Sequence, residues 1–271
     1  MMISTAAIEK QSKSQQSESG FLLTQLWHVL ATPFRLVLFV LGKRTFAEVA
    51  TPVTNSVRFF FAPRFSILMS AVLIIVFIAS LFIDIVPYLA YPADLFSLRF
   101  FTIITAGFLH ADPAHLFGNV LVLYIFGRVV ERRIGATNTA LVYFGALIIA
   151  GLFSALINMA IGDNTPGLGA SGAIMGIVAT AMLLDPFYIT YQLGIPLPVM
   201  IIGWIAIGAD VAGILNPTED GIGHFAHLGG FLSIAILAFF LSGENRLRLL
   251  KGLVVNIISL LIAGILLVFV L

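Results

Sequence analysis

The stretch 167-GLGASGAIMGIVATAMLL-184 carries no charge, yet it sets a serine between small residues at Gly169-Ala170-Ser171-Gly172. A hydrocarbon core of ~30 Å takes a helix of about 20 apolar residues, so the run reads as a membrane-crossing helix with polar chemistry at its start. Similar uncharged runs lie at 66–83, 140–162, 187–209, 225–243 and 252–271. The shorter run 113–127 becomes a span if it continues through Arg128 to Glu131 and Arg133, whose long side chains can snorkel to the interface. Composition agrees: the chain is 60% hydrophobic and 10% charged, against ~25% charged in a soluble domain. The expected fold is an all-α, polytopic membrane helical bundle.

Basic residues set the expected orientation, because loops kept in the cytoplasm carry an excess of Lys and Arg. With the N-terminus inside, thirteen of the fourteen basic residues fall on the inner side and only Arg99 falls outside. Residues 1–20, polar and rich in Ser and Gln, read as a disordered cytoplasmic tail and not as a cleaved signal peptide, so the first span is its own insertion signal. Residues 21–65 read as a cytoplasmic and interfacial segment, with helical pieces at 21–41 lying in the inner interface. The outer connection 88–112, rich in Phe96, Phe100, Phe101 and Phe108, reads as partly sunk in the outer leaflet, and the turn 216–223 as mobile. No internal repeat is present, which argues against the duplicated transporter architectures. A net charge of +1 gives no reason to expect nucleic acid, and zero cysteines exclude disulfides and thiolate metal sites.

Polar side chains are costly within a membrane, so each is a functional candidate. Three groups stand out: His115 with Asn119, Gly169 to Gly172, and His224 with His227. On the expected topology all three begin spans that run from outside to inside, which puts them at similar depth near the outer face. Ser171 in the first turn of a helix would sit among unpaired N–H groups and partial positive charge, which suit an oxyanion. A serine hydroxyl needs a base, and His227 is followed by Leu228-Gly229-Gly230, where small residues allow close helix packing. His115 and Asn119, at i and i+4, can aim donors at one developing negative charge.

Those residues resemble the rhomboid family of intramembrane serine proteases. The resemblance covers about 99–241 and rests on Phe108-Leu109-His110, His115-Leu116-Phe117-Gly118-Asn119, Glu131-Arg132-Arg133, Gly169-Ala170-Ser171-Gly172-Ala173 and Ala226-His227-Leu228-Gly229-Gly230. It implies a catalytic dyad of Ser171 and His227, with oxyanion contacts from His115, Asn119 and the backbone N–H groups of Ser171 and Ala170. It also implies a six-helix catalytic core at 66–243, an optional seventh transmembrane helix within 244–271, and an active site opening outward. No cofactor or metal is implied, and the partners would be transmembrane protein substrates and the lipid bilayer.

Two positions depart from the family pattern. Met175 stands where an aromatic ring often stacks on the histidine, so the imidazole of His227 is expected to be looser or held by a sulfur contact. Ser97-Leu98 precede Arg99 where the family often has a tryptophan. His224 reads as solvent-facing or lid-contacting, His110 as a loop anchor, and Glu131 with Arg133 as a structural pair. Asp210 is set aside as a third catalytic member, since the resemblance implies a dyad. Two other classes stay open: a catalytically silent protein that binds membrane proteins, and a metal-dependent membrane enzyme using the i, i+3 pair His224 and His227. The second lacks a His-Glu-x-x-His signature and any evident carboxylate beside the pair.

Overall fold

The computed structural model describes residues 24, 27–28, 30–91, 99, 101–163, 165–192, 195–217 and 221–270. The tail expected at 1–20, the rings of Phe96 and Phe100, and 218–220 of the outer turn lie outside the described residues.

The chain divides into two units. The smaller holds helix α1 (Thr32–Val40), helix α2 (Phe46–Phe60) and an antiparallel hairpin of β1 (Ile189–Gln192) and β2 (Ile195–Pro198), with Ile189 opposite Pro198. The start of α2 is a capping box: Thr45 Oγ accepts from Glu48 N–H and Glu48 accepts from Thr45 N–H. The hairpin corrects the uncharged run read as a span at 187–209. Pro196 and Pro198 have no N–H to give a helix, and β-branched Ile189, Thr190 and Ile195 favour extended backbone.

The larger unit opens with α3 (Arg64–Ser80), α4 (Val86–Leu89), α5 (Thr102–Thr105) and a 3-10 turn at Ala106–Phe108. It continues with α6 (Pro113–Ile161), α7 (Ser171–Leu184), α8 (Val199–Leu215), α9 (His224–Leu232), α10 (Ile234–Leu237), a second 3-10 turn at Ala238–Phe240 and α11 (Gly243–Val270). Helix α8 therefore begins after the hairpin and runs past Asp210, where the uncharged run had ended. Helix α6 is broken at Gly135, whose φ of 80° and ψ of 164° leave the helical region and suit only a residue without Cβ. Its two halves correspond to the second and third expected spans. Pro113–Ile161 and Gly243–Phe269 are long and apolar enough to cross a membrane, and Arg64–Ser80, Ser171–Leu184, Val199–Leu215 and His224–Phe240 are shorter apolar helices.

Helix α7 is the hub. Every residue from Gly172 to Met182 is buried, as expected for a helix that is apolar all round and surrounded by others. Small residues bring its neighbours to backbone contact: a methyl group at Gly230 of α9 would overlap the Gly172 carbonyl, and one at Gly252 of α11 would overlap the Leu183 carbonyl. Asn256 of α11 adds polar ties, donating to the Met182 carbonyl at 3.0 Å and accepting from Trp204 Nε1 of α8 at 3.0 Å. These bonds satisfy a side chain that is otherwise expensive to bury.

Charges at the end of the first half of α6, just before Gly135, have different partners from those expected. Arg128 is only 2% exposed, and its guanidinium contacts the Tyr124 hydroxyl at 3.2 Å. Glu131 and Arg133 are structural, but they do not pair with each other. The Glu131 carboxylate accepts from Phe65 N–H at 3.0 Å and from Ser66 N–H and Oγ–H, each at 3.1 Å, so it caps α3, whose own N-cap residue Pro63 has no side-chain donor or acceptor. Arg133 pairs with Asp185 at the end of α7.

Candidate active site

The approach to Ser171 is pinned before the helix begins. Tyr91 and Gly167 exchange two backbone hydrogen bonds of 3.0 Å, and Gly169 N–H donates to the Ala106 carbonyl at 2.9 Å. Gly169 turns the chain at φ 115°, a conformation L side chains rarely adopt. Ala170 is then the N-cap and Ser171 the first residue of α7, with no side chain capping that end. Its first N–H groups therefore lack an intrahelical acceptor and point toward whatever lies at the helix start.

The start of α6 is built in parallel. Asp112 caps it, accepting from Ala114 N–H at 2.7 Å and His115 N–H at 2.9 Å, and Pro113 occupies the first turn. The His115 amide hydrogen bond, with that of Ala114, holds the Asp112 carboxyl below its ordinary pKa. His115 Nδ1 accepts from Ala111 N–H in a long bond of 3.5 Å, which leaves the hydrogen of a neutral ring on Nε2. That nitrogen faces the serine loop: a methyl group built on Gly169 would lie 3.0 Å from His115 Nε2 and 3.8 Å from Ser171 Oγ. Asn119, one turn further along, is 7% exposed, and its Nδ2 has no hydrogen-bond acceptor among the described residues. An unused buried amide donor costs free energy, so its retention needs a reason.

His110 lies beside this group as a buried loop residue, its ring edge-on to His115 at 5.0 Å. Burial, reinforced by the neighbouring His115, pushes its pKa down to about 4.

His227 comes from the opposite wall. Helices α7 and α9 meet where a methyl on Gly172 would lie 3.3 Å from the carbonyl oxygen of Ala226, the residue before His227. The structure thus brings Ser171 and His227 onto touching helix turns. Their side chains are not hydrogen-bonded to each other among the described residues; such bonds are often long without substrate and tighten when it binds. His227 also lies within electrostatic reach of His115.

Sequence reasoning passed over Asp210, and the structure corrects it. Its carboxylate is 5% exposed and Oδ1 sits 2.8 Å from His227 Nδ1 and 2.9 Å from His224 Nδ1. The imidazole of His227 is held by this carboxylate, which supplies the restraint that the aromatic absent at position 175 does not. His224 faces inward to the same oxygen and not simply outward to solvent, and a carboxylate does stand beside the histidine pair. The signal was available: Asp210 is an ionisable residue in an otherwise apolar run, and such residues call for a partner.

Comparison with known proteins agrees with this architecture. The Rhomboid domain family model matches residues 97–244. The chain is 30% identical over 165 residues to RHOMBOID-like protein 12, mitochondrial, of Arabidopsis thaliana, covering 55% of this chain and 48% of that protein. It is 33% identical over 150 residues to Rhomboid-like protein 11, chloroplastic, of the same plant, covering 51% of each. It is 28% identical over 159 residues to Rhomboid protease AarA of Providencia stuartii, covering 52% of this chain and 56% of that one. The chain spans about half the length of these curated relatives. With a family match covering more than half its length, and the motifs around His115, Ser171 and His227 meeting at one end of α7, this chain is a member of the membrane-embedded rhomboid family.

Proposed function

We propose that the protein is an intramembrane serine endopeptidase that cuts transmembrane substrates near the extracytoplasmic face, with Ser171 as nucleophile and His227 as base. The observation that carries this reading is the meeting of the first turn of α7 with α9 at Gly172 and Ala226, which sets a serine at an uncapped helix start beside a histidine whose Nδ1 is already engaged. With Nδ1–H donating to Asp210, the lone pair of a neutral His227 is on Nε2, free to take the serine proton.

In this mechanism Ser171 Oγ adds to the scissile carbonyl carbon as its proton passes to His227 Nε2. The negative oxygen is received by Nε2–H of His115, Nδ2–H of Asn119 and the N–H groups of Ser171 and Ala170. His227 then gives its proton to the leaving amide nitrogen, the peptide bond breaks, and water releases the acyl group from Ser171 by the same route in reverse order of roles. Asp210 positions His227 and never touches substrate. The core would comprise six spans at 66–243 with α11 as a seventh, the N-terminus cytoplasmic and 21–65 along the inner interface.

The test is incubation of the purified full chain in liposomes with single-span substrates, with mass mapping of the products and labelling by a fluorophosphonate. Cleavage and labelling that vanish together in Ser171→Ala support the reading. Cleavage that persists in that variant would overturn it, and a chain that neither labels nor cuts would belong to the silent, binding class.

A further inference from the structure

Asp210, His224 and His227 offer three ligand atoms that all lie within 4.8 Å of one another. Both histidines direct Nδ1 to one oxygen, Asp210 Oδ1, at 2.9 and 2.8 Å. Orienting a base needs one such bond, so the second is surplus to proton transfer. His224 is nonetheless held firmly: a methyl on Gly213, one turn beyond Asp210 on α8, would overlap its ring, so only the bare glycine lets the imidazole lie against the helix with Nδ1 toward the carboxylate. We propose that these three side chains form an inhibitory site for a borderline transition-metal cation of the zinc type, closed over the back of the catalytic base.

The donor set fits. Two imidazole nitrogens and a carboxylate oxygen are ligands that zinc takes at about 2.0–2.1 Å, with a fourth position left to water. Tetrahedral ligands at those lengths stand roughly 3.3 Å apart, so each ring has to back away from Asp210 by a few tenths of an ångström while the two ring nitrogens, within 4.8 Å of each other, settle to that spacing. The side chains of His224 and His227 are 15% and 18% exposed, enough for an ion and its remaining water to enter, while the Asp210 side chain is 7% exposed and cannot turn freely to solvent.

The chemical consequence follows from the two nitrogens of one ring. A metal on Nδ1 of His227 displaces the hydrogen from that atom, and the neutral ring then carries its hydrogen on Nε2. The lone pair that would accept the serine proton is thereby used up, and Ser171 loses its base. Metal binding depends only on the three ligands; its effect on turnover rests on the reading of His227 as base, and the two can be measured apart.

The experiment uses the full chain in detergent, titrated with Co²⁺ as a spectroscopic probe and then with Zn²⁺ as competitor. Expected are ligand-field bands of a tetrahedral Co²⁺ site that saturate at one equivalent, disappear on adding Zn²⁺, and persist in Ser171→Ala, which has no proteolysis to confound the signal. His224→Ala should lose the bands, and Gly213→Ala, which displaces the ring while keeping every ligand, should weaken Co²⁺ binding by at least tenfold. In the cleavage assay Zn²⁺ should inhibit the wild type reversibly, with at least tenfold more needed for half-inhibition of His224→Ala, measured against that variant's own metal-free rate. Absent bands, or bands unchanged in His224→Ala, overturn the site. Intact bands with no inhibition would overturn the inhibitory role, and intact bands in a chain that cuts nothing would count against the protease reading alone.

Discussion

Gly230 faces the carbonyl oxygen of Gly172 with no room for a methyl group between them. That contact is the seam along which the helix bearing the histidine meets the helix bearing the serine. Gly230→Ala should push α9 away from α7, costing about 1–3 kcal/mol as overpacking does and lowering cleavage at least tenfold. Thermal unfolding in detergent and the cleavage rate check this, with Gly264→Ala, where nothing lies within 4 Å, as the neutral control.

Ser171→Ala and His227→Ala should each lower turnover by roughly 10³-fold or more, and the double variant should be no worse than either, because groups acting as one unit fail together. Additive losses in the purified, folded variants would separate the two residues into independent roles.

Asn119→Ala removes a buried donor that has no acceptor among the described residues. Its kcat should fall by about 10²–10³, the loss seen when an oxyanion donor is deleted, while folding is unharmed or improved. A change confined to KM would make Asn119 a substrate-holding residue instead.

Asp210→Asn keeps the size of the side chain but loses the charge beside His227 Nδ1. An amide that donates to the ring would favour the wrong tautomer, so kcat should drop by roughly 10²-fold or more with KM little changed. Asp210→Glu, which restores the carboxylate, should recover part of the rate, an effect that simple loss of packing would not give.

His110 stays neutral in the folded protein down to about pH 4 because of burial and the nearby His115. The unfolded chain takes up a proton near pH 6.5, so between those values it binds more protons than the folded one, and stability must fall as pH drops through that window. The unfolding midpoint should decline from about pH 6.5 to about pH 4 and then lose this contribution to the slope. His110→Phe should flatten the decline, measured by unfolding scans at fixed ionic strength.

Most of the helical layout was legible because a membrane solvent enforces long uncharged runs, and the break at Gly135 falls just after the basic cluster that ends the second expected span. The hairpin was missed where apolar composition outweighed Pro196 and Pro198, a case of hydropathy hiding backbone chemistry. His115 and Asn119 stood out as a candidate pair because an i, i+4 spacing along a helix fixes a face, and Ser171 and His227 stood out through their glycine-flanked motifs. The link from Asp210 to His227 was not legible, because no motif marks it: the two residues are seventeen apart on different helices and only packing brings them together. Glu131 and Arg133 were paired with each other for the same reason: local pairing is what a sequence offers, whereas the capping of α3 and the tie to Asp185 depend on neighbouring helices.

Glu131 also has a bearing on biogenesis. The donors it satisfies, Phe65 N–H and the N–H and hydroxyl of Ser66, precede it by 66 and 65 residues. Glu131 is made well after α3, so until it arrives the first N–H groups of that helix must be satisfied by water or other polar groups. The carboxylate can latch α3 only once the first half of α6 exists, so the cap of one helix is supplied by a part of the chain synthesised 65 residues later.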